Sequence, residues 1–195
     1  MTNRSEGGMI VVLSGPSGSG KTTICSRLLK KGNYARSVSV TTRPPRPGES
    51  NGKDYWFTSK DDFLRKVKEG YFAEHAEYCG HLYGTPLKPL QEALAKGRVM
   101  FLVIEVDGAR QIQERFPDAL SIFIEPPSSE EAERRLRNRN QDSPTDIVKR
   151  RGRAGVELER ASQYDYVIVN DDLDTAVKTV EETIVKERNA RLKSG

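Results

Sequence analysis

Cysteine, histidine and long apolar segments are scarce in this chain, and each shortage excludes a class of function. The two cysteines, Cys25 and Cys79, have neither metal-binding nor redox spacing, so we expect a reduced packing role for Cys25. With His75 and His81 as the only histidines, a histidine-based metal site or catalytic triad is disfavoured. The longest apolar run, Val99–Ile104, is far too short to span a bilayer.

Charge, in contrast, is plentiful. Of the 195 residues 31% are charged and 35% are hydrophobic, and the formal net charge is +4. A chain of this length suits one compact α/β unit with inserted subdomains. The positive net charge favours anionic ligands, but it does not distinguish a nucleotide ligand from nucleic acid. Residues 1–8 are polar and show no signal peptide, so we expect a soluble, cytoplasmic protein.

One segment near the N-terminus carries the clearest chemistry. Residues 15–22 match the phosphate-loop pattern, between a predicted buried strand, Met9–Leu13, and a predicted helix that ends before Gly32. Glycines allow a tight turn close to a phosphate, and the N–H groups at a helix N-terminus attract the anion. Lys21 can reach the outer phosphates and the Thr22 hydroxyl can ligate Mg²⁺. The alternative is a glycine-rich turn with a solvated lysine.

A predicted strand and an arginine–proline loop come next. Ser37–Thr42 alternates small polar and β-branched residues, which predicts the strand. Prolines in the following segment, 43–48, exclude a helix and stiffen the loop that carries Arg43 and Arg46. This loop is either an exposed basic connector or a preorganised clamp for a second phosphate group.

Two later segments place carboxylates beside apolar residues. Tyr71–His75 predicts a strand with Glu74 among apolar neighbours, in a segment rich in predicted strands. Val99–Glu105 predicts a strand buried on both faces, as in a parallel sheet, with Glu105 at its carboxyl end. A phosphate-loop enzyme places a Mg²⁺-side carboxylate there, although strand ends also carry solvated acids. We expect Val103 and Glu105 to share a strand face.

Arginine heavily outnumbers lysine after the predicted strand Leu120–Ile124. Because arginine suits bidentate phosphate contacts, we predict a mobile, anion-binding lid; the alternatives are solvated or nucleic-acid-binding helices. A last strand, Tyr166–Asn170, and a closing helix complete an alternation of strands and helices that predicts a doubly wound parallel sheet. The lid arginines are Arg134, Arg135, Arg137, Arg139, Arg150, Arg151, Arg153 and Arg160.

Five motifs stand in order along the chain: Ser-Gly-Pro-Ser-Gly-Ser-Gly-Lys-Thr at 14–22, Thr-Thr-Arg-Pro-Pro-Arg-Pro-Gly-Glu at 41–49, Asn-Gly-Lys-Asp-Tyr at 51–55, Tyr-Gly-Thr at 83–85 and Val-Ile-Val-Asn-Asp-Asp at 167–172. Together they resemble those of guanylate kinases, and the resemblance covers about 9–186. The phosphate loop alone indicates only a class of proteins, whereas the arginine–proline loop followed by Asn-Gly-Lys-Asp-Tyr is close to family-specific.

The resemblance implies a P-loop nucleoside-monophosphate-kinase fold, in which helices flank a five-stranded parallel core sheet. It also implies transfer of the γ-phosphate of ATP to GMP with Mg²⁺, giving ADP and GDP. Within a domain at 8–188, it implies a core (9–38, 87–124 and 161–195), a β-rich GMP-binding subdomain (39–86) and a helical lid (125–160).

Site residues follow from the same resemblance. ATP would be bound by Gly15, Pro16, Ser17, Gly18, Ser19, Gly20, Lys21, Thr22, Thr23 and Asn170, with Thr22 as the metal ligand. GMP would be bound by Ser39, Arg43, Arg46, Tyr55, Glu74, Tyr83, Thr85 and Glu105. The catalytic residues would be Lys21, Arg43, Arg139 and Arg150. The chemistry agrees, because a carboxylate such as Glu74 can accept from both N–H donors of guanine that adenine lacks.

The chain departs from the family pattern at three positions. Val103 stands where an acid is expected, Asp107 where glutamine is expected, and Gly152 within the lid where a larger residue is usual. The first departure leaves Glu105 to serve alone on its strand face. The third implies a looser lid.

Other functions compete with this one. Lys21 and Thr22 argue against a scaffold that binds phosphopeptides through the GMP site, and Glu74 with Ser39 and Thr85 argues against a kinase for another acceptor. The missing Asn-Lys-x-Asp signature disfavours a regulatory GTPase. Nucleic-acid binding through the basic helices would show a steep salt dependence. We expect ATP and GMP as partners, but no nucleic acid and no membrane.

Overall fold

The computed structural model describes residues 7–138, 152 and 155–193. Two short 3₁₀ turns, Leu29–Lys31 and Ala161–Gln163, accompany the main elements. In chain order these are β1 Met9–Ser14, α1 Lys21–Leu28, β2 Tyr34–Arg36, β3 Val40–Thr41, β4 Trp56–Phe57, α2 Lys60–Lys68, β5 Phe72–Tyr78, β6 His81–Pro86, α3 Leu87–Ala95, β7 Val99–Val103, α4 Val106–Arg115, β8 Leu120–Glu125, α5 Ser129–Asn138, the helical segment α6 at 155–159, β9 Tyr166–Val169 and α7 Leu173–Lys193.

The core is a five-stranded sheet in the order β2-β7-β1-β8-β9, with every neighbouring pair parallel. Val11 and Leu13 pack with side chains of α1 and α7 on one face, whereas Val12 and Leu102 pack with α3 and α4 on the other. Burial on both faces explains why the central strands are nearly continuous apolar runs. The predicted five-stranded parallel sheet is confirmed.

A second sheet of four strands, in the order β4-β3-β6-β5, forms between β2 and α3. Helix α2 covers it, because Phe63 stacks on Phe72 with ring centroids 4.6 Å apart. Ser59 caps the N-terminus of α2, since its hydroxyl accepts from the amide of Asp62 at 3.2 Å. The division of the chain into core, subdomain and lid stays a prediction.

Two strand predictions were wrong at their ends. Of the predicted strand Ser37–Thr42, only Val40–Thr41 forms a strand, which pairs with β4 and β6 in the second sheet, whereas the core strand β2, Tyr34–Arg36, lies before the predicted segment. Strand β7 ends at Val103, and Glu105 is the N-cap of α4 with ψ of 164°. The shared strand face predicted for Val103 and Glu105 therefore does not exist, because Glu105 lies outside the strand.

Helix α4 fastens the second sheet to the core. The Gln111 side chain donates to the carbonyl of His75 at 2.7 Å and accepts from its amide at 3.2 Å. Arg115 donates to the carbonyls of Phe72 and Ala73 at 3.0 and 3.2 Å. These bonds satisfy backbone groups on the outer edge of β5. Within the described ranges, no helix is both long and apolar enough to cross a bilayer.

Candidate active site

The phosphate loop joins the carboxyl end of β1 to α1, at the sheet edge where open α/β sheets bind ligands. Gly15, Gly18 and Gly20 adopt φ of 135°, 89° and 97°, which side chains disfavour. Space is a second constraint: a Cβ on Gly15 would lie 2.1 Å from the carbonyl oxygen of Ile124, and one on Gly20 would lie 2.2 Å from Nδ2 of Asn170. Only glycine fits at these positions.

Lys21 and Asn170 hold the loop from two sides. The Lys21 ammonium donates to the carbonyls of Gly15 and Pro16, so its charge lies over the loop. Buried Asn170, which follows β9, donates from Nδ2 to the carbonyl of Ser19 at 2.7 Å. The loop is therefore ordered from both ends, with the lysine at the first residue of α1.

A cationic cluster faces the loop from the second sheet. Arg43 is only 8% exposed; its guanidinium lies 5.4 Å from the centroid of the Tyr55 ring and donates to Oε1 of Glu49 at 2.8 Å. Burial disfavours the guanidinium charge, but the hydrogen bond with Glu49, together with the electrostatic effects of Tyr83, Glu49 and Tyr55, outweighs it and raises the pKa of Arg43. Tyr55 packs edge-on against Tyr83, with centroids 6.0 Å apart. This packing fixes a positive charge and two phenols on one wall.

Two carboxylates lie deeper in the same region. Glu74 is 4% exposed and its Oε1 accepts from the Thr85 hydroxyl at 2.6 Å. Burial raises the pKa of Glu74 to about 7; the bonds with Thr85 oppose this rise and the nearby Glu105 carboxylate adds to it. Oε2 of Glu74 would lie 2.3 Å from a Cβ on Gly108, so the helix needs glycine there. Oε2 of Glu105 is buried without a hydrogen-bond partner in the described structure.

One cleft contains most of the predicted residues. Thr85 lies behind the cleft wall on Glu74, and Gly15, Pro16 and Ser19 form the loop beneath its lining. Val103 also lines the cleft, although it supplies no charge. The predicted residues in the lining are Ser17, Gly18, Gly20, Lys21, Thr22, Ser39, Arg43, Arg46, Tyr55, Glu74, Tyr83 and Glu105.

A second cavity opens on the other side of the phosphate loop. Thr23 and Asn170, both predicted for ATP, line it together with Gly18 and Gly20. Arg135 forms part of its wall and is held by Oε1 of Glu131 at 2.7 Å and by the carbonyl of Asn170 at 3.0 Å. Arg139 and Arg150 lie outside the described residues. Across the described part of the chain, no group of three or more His, Cys, Asp or Glu side chains could hold a metal ion.

Sequence reasoning missed several residues of this region. The Tyr78 hydroxyl lies 3.2 Å from the Ser17 hydroxyl and so joins the phosphate loop to the second sheet. Asp107, noted only as a departure from the family, forms an ion pair with Arg160 at 2.5 Å. Nothing local marks these partners, which lie tens of residues apart in the chain. The one signal in the sequence is Gly108, because a glycine within the helical segment α4 indicates that another group lies close to it.

Comparison with known proteins agrees with this geometry. The family model described as guanylate kinase matches residues 8–187. A guanylate kinase from Trichodesmium erythraeum is 49% identical over 178 residues, covering 91% of this chain and 96% of that protein, and one from a Synechocystis species is 47% identical over 181 residues, covering 92% and 95%. The crystal structure of guanylate kinase from Anaplasma phagocytophilum matches with a TM-score of 0.79 at 38% identity, covering 94% of this chain and 87% of that one. The chain therefore belongs to the guanylate kinase family, whose members phosphorylate GMP to GDP with ATP.

Proposed function

We propose that the cleft transfers the γ-phosphate of ATP to GMP, with ATP held by the phosphate loop and GMP by the second sheet. One observation carries this proposal: a single cleft is lined by Lys21 and Thr22 on one wall and by Arg43, Arg46 and Glu74 on the other. Two anionic groups can therefore meet in it with their charges neutralised. Phosphoryl transfer needs such positioning more than it needs a covalent residue.

On the donor side, backbone N–H groups of the loop and the N-terminus of α1 would bind the ATP phosphates. Lys21 would move its ammonium from the loop carbonyls to the outer phosphates, since a phosphate is the stronger acceptor. The second cavity would hold the nucleoside, with Thr23 and Asn170 beside it and the Arg135 guanidinium as one wall. Arginine planes suit this role because they stack on aromatic rings.

On the acceptor side, Arg43 and Arg46 would bind the GMP phosphate together with the phenols of Tyr55 and Tyr83. Glu74, Thr85 and Ser39 would read the guanine. Ionised Glu74 can accept from N1–H and from the 2-amino group, and adenine offers neither donor. The rejected base would leave a buried carboxylate unpaired, which is the costly outcome in a site of this kind.

The residues present fit a magnesium ion. The orphaned, buried Oε2 of Glu105 and the exposed Thr22 line the same cleft, and oxygen is the donor type that Mg²⁺ prefers. Thr22 would ligate the ion directly. Glu105 would bind water molecules coordinated to the ion or would act on the GMP side of the cleft. When bound, Mg²⁺ neutralises charge on the outer phosphates of ATP.

Arg139 and Arg150 would add positive charge to the transferring phosphoryl group from a lid at 125–160. This assignment rests on the family resemblance, as do the limits of the core and the GMP-binding subdomain. The ion pair between Asp107 and Arg160 supports a lid that is anchored where it rejoins the core. A cytoplasmic location also stays a prediction from the sequence.

The test is ADP formation, measured with GMP, AMP, UMP and dTMP as acceptors at equal concentration. We expect GMP to be favoured by about 10³ or more, because hydrogen bonds select the base. Lys21→Met is the control for a contaminating kinase; it should abolish transfer and keep the far-UV circular dichroism of the parent. ADP formation no higher than in Lys21→Met with every acceptor would refute the kinase proposal. Such a protein, if it bound GMP, would be a binding module instead.

A further inference from the structure

Glu49 lies behind the arginines of the acceptor site and is bonded to both of them. Its Oε1 accepts from the Arg43 guanidinium at 2.8 Å and its Oε2 accepts from the backbone amide of Arg46 at 2.7 Å. The side chain is 15% exposed and does not line the cleft. Burial alone would raise the pKa of Glu49, but these two bonds, together with the positive charges of Arg43 and Arg46, outweigh it and hold the pKa below its ordinary value. The carboxylate is therefore charged whenever the protein is folded near neutral pH.

The hydrogen bonds around Arg43 orient one edge of its guanidinium group. A second guanidinium N–H donates to the carbonyl of Pro44 at 2.7 Å, and the cation lies against the rings of Tyr55 and Phe57. The remaining guanidinium N–H groups have no acceptor among the described residues. Since a guanidinium is planar and its five donors point in fixed directions, pinning one edge fixes where the others point.

A carboxylate at position 49 is unexpected on electrostatic grounds. Two arginines attract a phosphate, and a carboxylate behind them weakens that attraction through its opposite charge. If charge alone mattered, removing the Glu49 charge would tighten the binding of an anion. The geometry favours the opposite outcome, because an unpinned guanidinium must be ordered at the moment of binding, which costs free energy.

We propose that Glu49 is a positioning residue of the acceptor-phosphate site, which orients the Arg43 side chain and the Arg46 backbone for one phosphate group. This inference rests on the proposed function, since the phosphate is that of GMP. Glu49 touches no substrate atom and acts through Arg43. Its effect is therefore confined to ligands that carry the phosphate, which separates positioning from a general role in stabilising the loop.

The test compares GMP with guanosine by titration calorimetry in the parent and in Glu49→Gln. Glutamine keeps the shape but offers one carbonyl oxygen for two donors, so one bond is lost and an N–H₂ group faces the other donor. We expect the Kd for GMP to rise about tenfold or more, a factor equivalent to about 1.4 kcal/mol. The Kd for guanosine should stay within about twofold of the parent value.

Glu69→Gln is the matched control, because Glu69 forms the same kind of pair with Arg65 at 2.9 Å, but with both side chains exposed at the C-terminal end of α2. Exposed pairs contribute little, so this variant should bind GMP like the parent. In an Arg43→Lys background, Glu49→Gln should cost clearly less than it does alone.

Three results would overturn the inference: GMP binding that is unchanged or tighter in Glu49→Gln, an equal loss for guanosine, or full additivity with Arg43→Lys. Parent protein that fails to bind GMP would instead refute the proposed function. The two failures are therefore distinguishable.

Discussion

Replacing Glu74 by glutamine should change the pH dependence of stability and of GMP binding together. The carboxyl group is 4% exposed and, in the described part of the chain, the Thr85 hydroxyl, at 2.6 Å, is the only side chain that gives it a hydrogen bond. Burial raises the pKa of Glu74 from 4.5 to about 7, with a smaller contribution from the Glu105 carboxylate. The folded protein therefore retains a proton that the unfolded chain releases near pH 4.5.

The sign of the effect follows from this retention. Between about pH 4.5 and 7 the native state binds more protons at this group than the unfolded state does, so stability falls as the pH rises. The gap between the two pKa values corresponds to about 3 kcal/mol, at about 1.4 kcal/mol for each pH unit. About 2 to 3 kcal/mol of this is lost between pH 5 and pH 8.

Glutamine occupies the same volume and does not titrate. We expect the free energy of unfolding of Glu74→Gln, taken relative to that of the parent, to rise by about 2 to 3 kcal/mol from pH 5 to pH 8. Denaturant unfolding at both pH values measures it, and the comparison removes the other titrating groups because both proteins contain them. Glu77→Gln changes an exposed acid of the same strand and should show no such trend. A difference between Glu74→Gln and the parent that is the same at both pH values would refute the reasoning.

The affinity for the guanine base should instead increase as the pH rises. Only the ionised carboxylate can accept from both N–H donors of guanine, so guanosine, whose binding reports the base end without a titrating phosphate, should bind about tenfold more tightly at pH 8 than at pH 6. The inflection should lie near pH 7, the pKa of the buried Glu74 carboxyl. Glu74→Gln should bind weakly at both pH values. A pH-independent affinity in the parent would show that another group reads the base.

Other predictions follow from the same cleft. Glu105→Gln should lower kcat about 10²-fold, the scale of one lost electrostatic contact, and parental turnover would contradict its role. Arg139→Ala and Arg150→Ala should each lower kcat by about 10³ or more with little change in the KM for GMP; a pure KM effect would mean that these arginines only bind substrate. Gly108→Ala adds a better helix former, worth about 1 kcal/mol, yet its Cβ would lie 2.3 Å from Oε2 of Glu74. The variant should raise the KM for GMP without changing that for ATP. A KM for GMP equal to that of the parent would refute the clash.

Features that depend on neighbouring residues could be predicted from the sequence. The phosphate loop is one: the glycine-rich turn, the apolar strand before it and the helix that begins at Lys21 are all marked by residues that are neighbours in the chain. The cap at Ser59 and the buried strands of the core sheet are others, because capping and apolar runs act within a few residues.

Contacts between residues that are distant in the chain could be learned only from the fold. The pattern at 37–42 predicts extended chain, but not that the core strand β2 ends just before it at Arg36 or that β3 belongs to the second sheet, because both sheets accept the same residue types. Glycine is a poor helix former, so the sequence does not explain why Gly108 stands within α4. The explanation is the carboxylate of Glu74, which the fold brings against the helix. Contacts of this kind depend on how the sheets and helices pack, and that packing depends on the whole chain at once.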